Sequence, residues 1–347
     1  MTHQQYLDTL GMWDATLGLP EQITSAVAAS EDVLHNVNLT GRGTFDSVAL
    51  FGMGTSGLAA DLAVAFGAGR ASVPLWAGKS YDVPAFVGPR TLVFAISASG
   101  DTEETVTAAT VAQERGATVV VISRGGALAG MAAASEFPQF TLPTSVPVAR
   151  TALGFLVVPV LATLARIGVL PDVGPSLAAA AVTLGRRRDV FSAPHSEPAE
   201  VARLVGRTLP LIYGSTGISG IAARRWKTQV NENAKIPAFV SEQPELSHNE
   251  VAGWGQHGDV TRQVFSLVTL RHTGEHSQVA RRFDLVVAAT DEVMANVIPV
   301  WADGDDDLGR FFDLALFGDL VSLHMAGREG IDPGPVPAAA DVRAGLG

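Results

Sequence analysis

The densest cluster of reactive side chains is Arg224-Arg225-Trp226-Lys227-Thr228-Gln229-Val230-Asn231-Glu232-Asn233-Ala234-Lys235, and sixteen positions after Glu232 comes His248, within Pro244-Glu245-Leu246-Ser247-His248-Asn249-Glu250. A carboxylate and an imidazole are the side chains best matched to proton transfer near neutral pH. The same residues also fit a solvated helix face followed by a loop histidine, the commoner origin of a charged cluster. A second kind of chemistry is suggested by Ser97-Ala98-Ser99-Gly100-Asp101-Thr102, which follows an apolar run and precedes a helical pattern. Hydroxyls around a glycine, together with the N–H groups and positive dipole end of a helix, can wrap phosphate oxygens without any basic residue. The competing reading is a plain helix cap, with Ser99 or Asp101 at the N-cap and Glu104 completing a capping box. Gly52-Met53-Gly54-Thr55-Ser56-Gly57 is a turn of similar kind. It lacks the Gly-Lys-Ser/Thr of a Walker sequence. Two hydroxyl-rich turns in one half favour a shared anion site, because adjacent strand ends converge.

The elements that must position these residues repeat along the chain. Residues 48–51, 73–76, 92–96, 119–122 and 139–142 read as strands, and residues 102–115 as a helix with Thr105, Ala108, Ala109 and Ala112 on one face. Continuous apolar strands, each followed by a helix, predict a parallel sheet covered on both faces. Residues 151–190 are predicted helical with a break near 170–175, and the polar stretch 192–198 could link domains. The pattern then restarts: residues 209–213 form a strand ending at Gly214, followed by Ser-Thr-Gly-Ile-Ser-Gly and a helix over 221–230. Residues 264–270 and 285–289 are read as further strands and 308–326 as a long helix. The expected fold is therefore α/β, with two tandem doubly wound parallel-sheet domains. The predicted boundaries are a helical segment 1–45, a first domain 46–170, a helical connection 171–198, a second domain 199–330 and a tail 331–347.

Composition narrows the classes of function. Among 347 residues, 24 Lys plus Arg stand against 35 Asp plus Glu, a net charge of −11, so no global basic field exists for nucleic acid or an anionic membrane. Hydrophobic residues make up 47% and charged ones 17%, which is the composition of a packed chain and not of disorder. Cysteine is absent, which removes disulfide scaffolds, thiolate metal sites and cysteine nucleophiles. The first residues lack the basic start and apolar run of a signal peptide, and the longest apolar stretch, residues 151–165, is too short for a bilayer and contains Pro159. A soluble, cytoplasmic protein is expected.

Taken together, GMGTSG after a strand, SASGDT at the next helix, Val146-Pro147-Val148-Ala149-Arg150 before an apolar helix, RWKTQVNENAKIPAF and PELSHNEVAGW resemble the bifunctional phosphoglucose/phosphomannose isomerases of the sugar-isomerase (SIS) domain superfamily. The likeness runs from about residue 45 to the Asp-Pro-Gly-Pro-Val-Pro tail. The serine turn marks only the superfamily, whereas NENAK followed by HNE at this spacing is much more specific. The resemblance implies interconversion of glucose 6-phosphate and mannose 6-phosphate with fructose 6-phosphate through a cis-enediolate, with no metal or organic cofactor. By the same resemblance Ser97, Ser99 and Thr102, with Gly54 and Ser56 from the first turn, bind the sugar phosphate. Glu232 matches the base that carries the proton between C1 and C2. Arg150 matches the arginine beside the enediolate oxygens. His248 matches the ring-opening residue, which in this family is supplied by the neighbouring subunit of a homodimer.

One position departs from the family. A lysine near its C-terminus assists ring opening, but this chain has only Lys79, Lys227 and Lys235, and Arg343 occupies the corresponding place. Arginine can orient a group but does not readily exchange a proton. This substitution keeps a weakly active or non-catalytic sugar-phosphate-binding regulator as the alternative; a ketose-phosphate aminotransferring or deaminating enzyme of the superfamily, which would depend on amino-sugar recognition, is a further one. Three other motifs are read as structural. His272-Thr273-Gly274-Glu275-His276 is not HExxH and is expected to be a surface turn before a helix. The acidic run of residues 303–307 is expected to cap the next helix, and Arg186-Arg187-Arg188 to lie on an exposed helix face.

Overall fold

The computed structural model describes residues 6–37, 39, 44–193 and 195–345. The chain divides into two compact units, Gly18–Val182 and Met1–Leu17 with Thr183–Gly347. In chain order the elements are α1 (Met12–Leu17), α2 (Leu19–Asn36), β1 (Ser47–Gly52), α3 (Gly54–Gly67), β2 (Leu75–Gly78), β3 (Thr91–Ile96), α4 (Glu103–Glu114), β4 (Thr118–Ser123), α5 (Gly126–Ser135), β5 (Gln139–Thr141), α6 (Leu153–Arg166) and α7 (Gly174–Phe191). The second half continues with α8 (Glu197–Val205), β6 (Leu209–Ser215), α9 (Ile218–Gln229), β7 (Phe239–Gln243), α10 (Gly258–Val264), β8 (Phe265–Arg271), α11 (Ser277–Thr290), β9 (Asn296–Trp301), α12 (Asp307–Arg328) and α13 (Pro337–Ala344).

In the first unit the strands form one parallel sheet of order β2-β1-β3-β4-β5. Its inner strands are continuous apolar runs because helices cover both faces. Every residue of β3 is buried, and Ala49, Phe51, Val93, Ala95, Val119 and Val121 share one core with Ala108, Ala109 and Ala112 of α4. Those alanines are the face anticipated from spacing, and their small size lets α4 lie close to the sheet. The order reverses direction between β1 and β3, so the crevice outside their carboxyl ends is the topological switch point where such sheets bind ligands.

In the second unit a parallel sheet runs β7-β6-β8-β9. The central helix of this unit is α12, buried almost all round from Leu308 to Ala326. Trp226 of α9 packs on it, stacked on Phe317 with ring centroids 5.7 Å apart, and donates its indole N–H to the Leu314 carbonyl at 2.7 Å. Among the described residues no helix is long and apolar enough to cross a membrane.

Three expectations need correction. Residues 285–289 are not a strand but part of α11, whose buried residues Phe283, Val286 and Thr290 recur at helical spacing; the edge strand is β9. A short apolar run such as Leu-Val-Val-Ala-Ala does not distinguish the two by itself. Arg187 is not on a free surface. It donates to the buried carboxylate of Asp313 at 2.9 Å and lies over the ring of Phe191 at 4.4 Å. Burial outweighs the attraction of Arg187 and pushes the Asp313 carboxyl above its usual range. The HTGEH segment does precede a helix, with the His276 side chain accepting from Gln278 N at 3.1 Å, but it is not a surface turn throughout. Glu275 is held by Arg271 in a buried pair, and burial lowers the pKa of His272. The acidic run behaves as anticipated, with Asp306 capping α12 by accepting from Gly309 N at 2.9 Å.

Candidate active site

The serine turn lies at the carboxyl end of β3, its hydroxyls facing one another. Ser97 Oγ is 2.8 Å from Thr102 Oγ1 and 3.3 Å from Ser99 Oγ, while Gly100 N donates to Ser97 Oγ at 3.1 Å and Asp101 N to Ser99 Oγ at 3.2 Å. Ser97 is 1% exposed and Ser99 faces solvent, so the cluster runs from the sheet end to the surface. The capping alternative is not what forms. The N-cap of α4 is Thr102, and no side chain caps the helix. Asp101 instead reaches away and accepts from Ala127 N, at the start of α5, at 2.8 Å. The first-turn N–H groups of α4 are therefore left uncapped by side chains beside a ring of hydroxyls, which is the arrangement an anion requires. Gly100 makes the turn possible. Its φ is +85°, and a Cβ there would sit 1.7 Å from the Gly125 carbonyl oxygen.

The neighbouring turn after β1 completes the crevice. Ser56 lies buried in the first turn of α3, whose N-cap also lacks a side-chain bond, and Gly54 has a φ of +53°. A Cβ on Gly57 would meet the Gly52 oxygen at 2.4 Å and Lys79 Cε at 2.9 Å. Lys79, just beyond β2, thus crosses this turn, its ammonium paired with Asp61 of α3. Sequence reasoning passed over this cation; its one signal was that lysine is rare here. Arg150 belongs to the same unit. It sits 6% exposed in a 3-10 turn, Ala149–Thr151, after β5. Gln22 of α2 grips that turn, donating to the Thr151 carbonyl at 2.7 Å and accepting from Gly154 N at 3.3 Å.

Glu232 lies in the second unit. α9 does not end as an α-helix but widens into a π turn, Val230–Ala234, before Lys235 takes a left-handed conformation with φ 60°. The turn is fixed from α12. Arg225 is 2% exposed and makes a two-pronged pair with Asp319, and Asn233 donates to Ser322 Oγ at 2.9 Å while Ser322 Oγ donates to the Asp319 carbonyl at 2.6 Å. Most of the polar cluster read from sequence is therefore internal bracing, and Glu232 is left half-exposed. Single π turns in helices recur at functional sites. Lys235 Nζ ties the turn to the tail, donating to the carbonyls of Glu232 and, at 3.3 Å, Pro333. Arg343 belongs to α13, and its side chain lies outside the described part of the structure.

Glu232 and His248 of one chain are not brought together. β6 and β7 are parallel, so the intervening α9 runs back along the sheet and leaves Glu232 near the amino end of β7. His248 follows the carboxyl end of that strand. Five strand residues alone separate the two ends by about 13 Å.

Comparison with known proteins then assigns the chain. A family model described as "Bacterial phospho-glucose isomerase C-terminal SIS domain" matches residues 195–346. The chain is 31% identical to the bifunctional phosphoglucose/phosphomannose isomerase of Caldicellulosiruptor bescii, over 94% of this chain and 96% of that one. It belongs to the bifunctional phosphoglucose/phosphomannose isomerase family. Thermoplasma acidophilum has another relative of this name, 31% identical over 87% of this chain and 90% of its own. Among solved structures, a putative phosphosugar isomerase from Clostridium difficile superposes with a TM-score of 0.74 over 100% of this chain and 98% of that one, at 15% identity. Tagatose-6-phosphate ketose/aldose isomerase from Escherichia coli gives 0.66 over 93% and 94%, at 16% identity. These two show the SIS fold expected from sequence, with a parallel sheet in each unit of this family member.

Proposed function

We propose that this protein is a cytoplasmic homodimeric isomerase that interconverts glucose 6-phosphate and mannose 6-phosphate with fructose 6-phosphate. The observation that carries the reading is the family membership, which extends over nearly the whole chain; the roles of Glu232 and His248 rest on the motif resemblance. The phosphate is held by Ser97, Ser99, Thr102 and Ser56 with the uncapped start of α4, an anion site built from neutral donors and a helix dipole. His248 of the partner subunit opens the ring by giving a proton to the ring oxygen and taking the proton of the anomeric hydroxyl in return. Supply from the partner accounts for the separation of Glu232 and His248 within one chain.

Once the sugar is open, the Glu232 carboxylate removes the C2 proton of the aldose. The C–H electron pair becomes the C1–C2 double bond of an enediolate, and the displaced carbonyl pair rests on O1. Arg150, a permanently charged group, is assigned by the resemblance to stabilise that developing charge. Glu232 returns the proton to C1, O1 takes a proton and O2 loses one, and the ketose results. Mannose 6-phosphate differs only in the orientation of the C2 hydrogen, which one base can reach if the enediolate rotates about C2–C3. Arg343 orients the ring oxygen where the family has lysine, leaving proton exchange to the histidine. The test is coupled assay of both aldose phosphates with wild type and Glu232→Gln. Both isomerisations are expected to vanish together; either one persisting at the wild-type rate refutes the assignment of the base.

A further inference from the structure

His248 is an exposed residue of a loop that is pinned on either side of it. Among the described residues of its own chain the imidazole has no hydrogen-bond partner. The backbone therefore sets the point from which the imidazole projects, and that backbone is fastened on both sides. Two residues earlier, Leu246 is buried in the core of the second sheet with Leu211, Tyr213, Leu267 and Phe283. Two residues later, Glu250 accepts a hydrogen bond from the hydroxyl of Tyr213 at 2.6 Å and another from Ser241 Oγ. Tyr213 lies on β6 and Ser241 on β7, neighbours across the sheet, so one carboxylate ties the loop to two strands at once. Trp254 closes the arrangement by donating its indole N–H to the Tyr213 oxygen at 3.1 Å.

We propose that Glu250 is the positioning residue for His248, its carboxylate bonded to Tyr213 and Ser241 so that the loop presents the imidazole outward at a fixed angle to a second copy of this chain. The proposal rests on the ring-opening role of His248 argued above. A carboxylate suits the task because it can only accept, and both partners are hydroxyls able to donate. Bonds to an ionised acceptor are roughly twice as strong as neutral ones. Burial, helped by the Glu250 charge, raises the Tyr213 pKa, so the phenol remains a donor through the neutral range. Asn249 links the clamp to the histidine: its side chain accepts from Glu250 N at 2.6 Å and donates to Glu245 at 2.8 Å, holding the turn that starts at residue 250.

The experiment is a double-mutant cycle on the full-length protein, with kcat and KM for glucose 6-phosphate and thermal unfolding measured for Glu250→Ala, Glu250→Gln, His248→Ala and the Glu250→Ala/His248→Ala pair. Misplacing a catalytic group by about 1 Å costs on the order of a hundredfold. Glu250→Ala is therefore expected to lower kcat by roughly ten- to a hundredfold while KM stays within about threefold, because the phosphate cradle lies in the other unit. Glu250→Gln, whose amide can accept from Tyr213 and donate to Ser241, is expected to recover most of the loss. In the His248→Ala background the alanine at 250 is expected to cost less than about twofold, since a residue acting through the imidazole has nothing left to act on. Losses that multiply, or wild-type kcat in Glu250→Ala beside a slow His248→Ala, overturn the positioning role alone. Wild-type turnover in His248→Ala overturns the ring-opening assignment and this proposal with it. If Glu250→Ala does not fold, Tyr213→Phe replaces it; this change removes one of the two hydroxyls, and the same non-additivity with His248→Ala is expected.

Discussion

Replacing Asp319 by alanine removes the carboxylate paired with the Arg225 guanidinium, which is 2% exposed in the second unit. The two groups now meet through two N–H···O contacts, Nε to Oδ1 at 2.9 Å and Nη2 to Oδ2 at 2.5 Å. Removing one partner of a buried pair leaves an uncompensated charge and costs about 3–5 kcal/mol. The same change disturbs the residue whose carbonyl receives Ser322 Oγ, which in turn receives the Asn233 amide next to Glu232. Urea denaturation followed by circular dichroism should therefore show a large fall in midpoint, together with reduced kcat at concentrations of urea where the protein is still folded. Converting both partners to apolar residues of similar volume, Arg225→Met with Asp319→Leu, should restore much of the stability, because a well-packed apolar pair can equal a buried ion pair. A loss below about 1 kcal/mol in the single variant, or a double variant less stable than either single one, would refute the view that the pair is a buried, mutually compensating one.

Other outcomes are expected from the same geometry. Ser97→Ala and Thr102→Ala should each raise KM for the sugar phosphate by roughly ten- to a hundredfold, the range for a hydrogen bond to a charged group, while melting temperature changes little; steady-state kinetics beside calorimetry checks this. Gly318→Ala places a Cβ 2.2 Å from the indole of Trp226 and should unfold the second unit at a lower temperature, seen as a drop in the melting midpoint. Burial holds the folded pKa of His272 below its usual 6.5, so the unfolded chain binds the extra proton first and this contribution to stability is lost as pH falls below about 6.5 toward the lowered folded value; His272→Asn should flatten that part of the stability-against-pH curve. Asp313 has the opposite sign. Its folded pKa is raised above 3.8, so the folded state holds the proton longer and stability declines as pH rises through that window; Asp313→Asn should remove the decline in the same urea titrations.

Much of the fold was written in local pattern. The strands of the first unit were visible because parallel strands buried on both faces must be apolar without interruption, and the turns after β1 and β3 because glycine and hydroxyl residues gather where a chain reverses tightly. What failed was whatever depended on a distant partner. Arg187 looked like one of three solvated arginines, but its carboxylate stands 126 residues away on α12. Residues 285–289 looked like a strand because five apolar residues carry no period, and only packing of Phe283 and Val286 against the sheet makes them helical. Glu250 was part of a recognisable motif, yet nothing in its neighbours announced Tyr213 or Ser241 as its partners.

The order of residues by itself determined which chemistry was available: an acid, an imidazole, a run of hydroxyls and no thiol. Side-chain type and near-neighbour spacing are covalent facts, and they survive in any conformation. Only the tertiary structure decided what each group is free to do. It left α4 uncapped by sending Asp101 to α5, turned most of the RWKTQVNENAK polarity inward as bracing, and set Glu232 and His248 at opposite ends of one strand. Those outcomes depend on which segments meet, and contacts between residues a hundred positions apart are selected by burial and packing of the whole unit, not by local sequence.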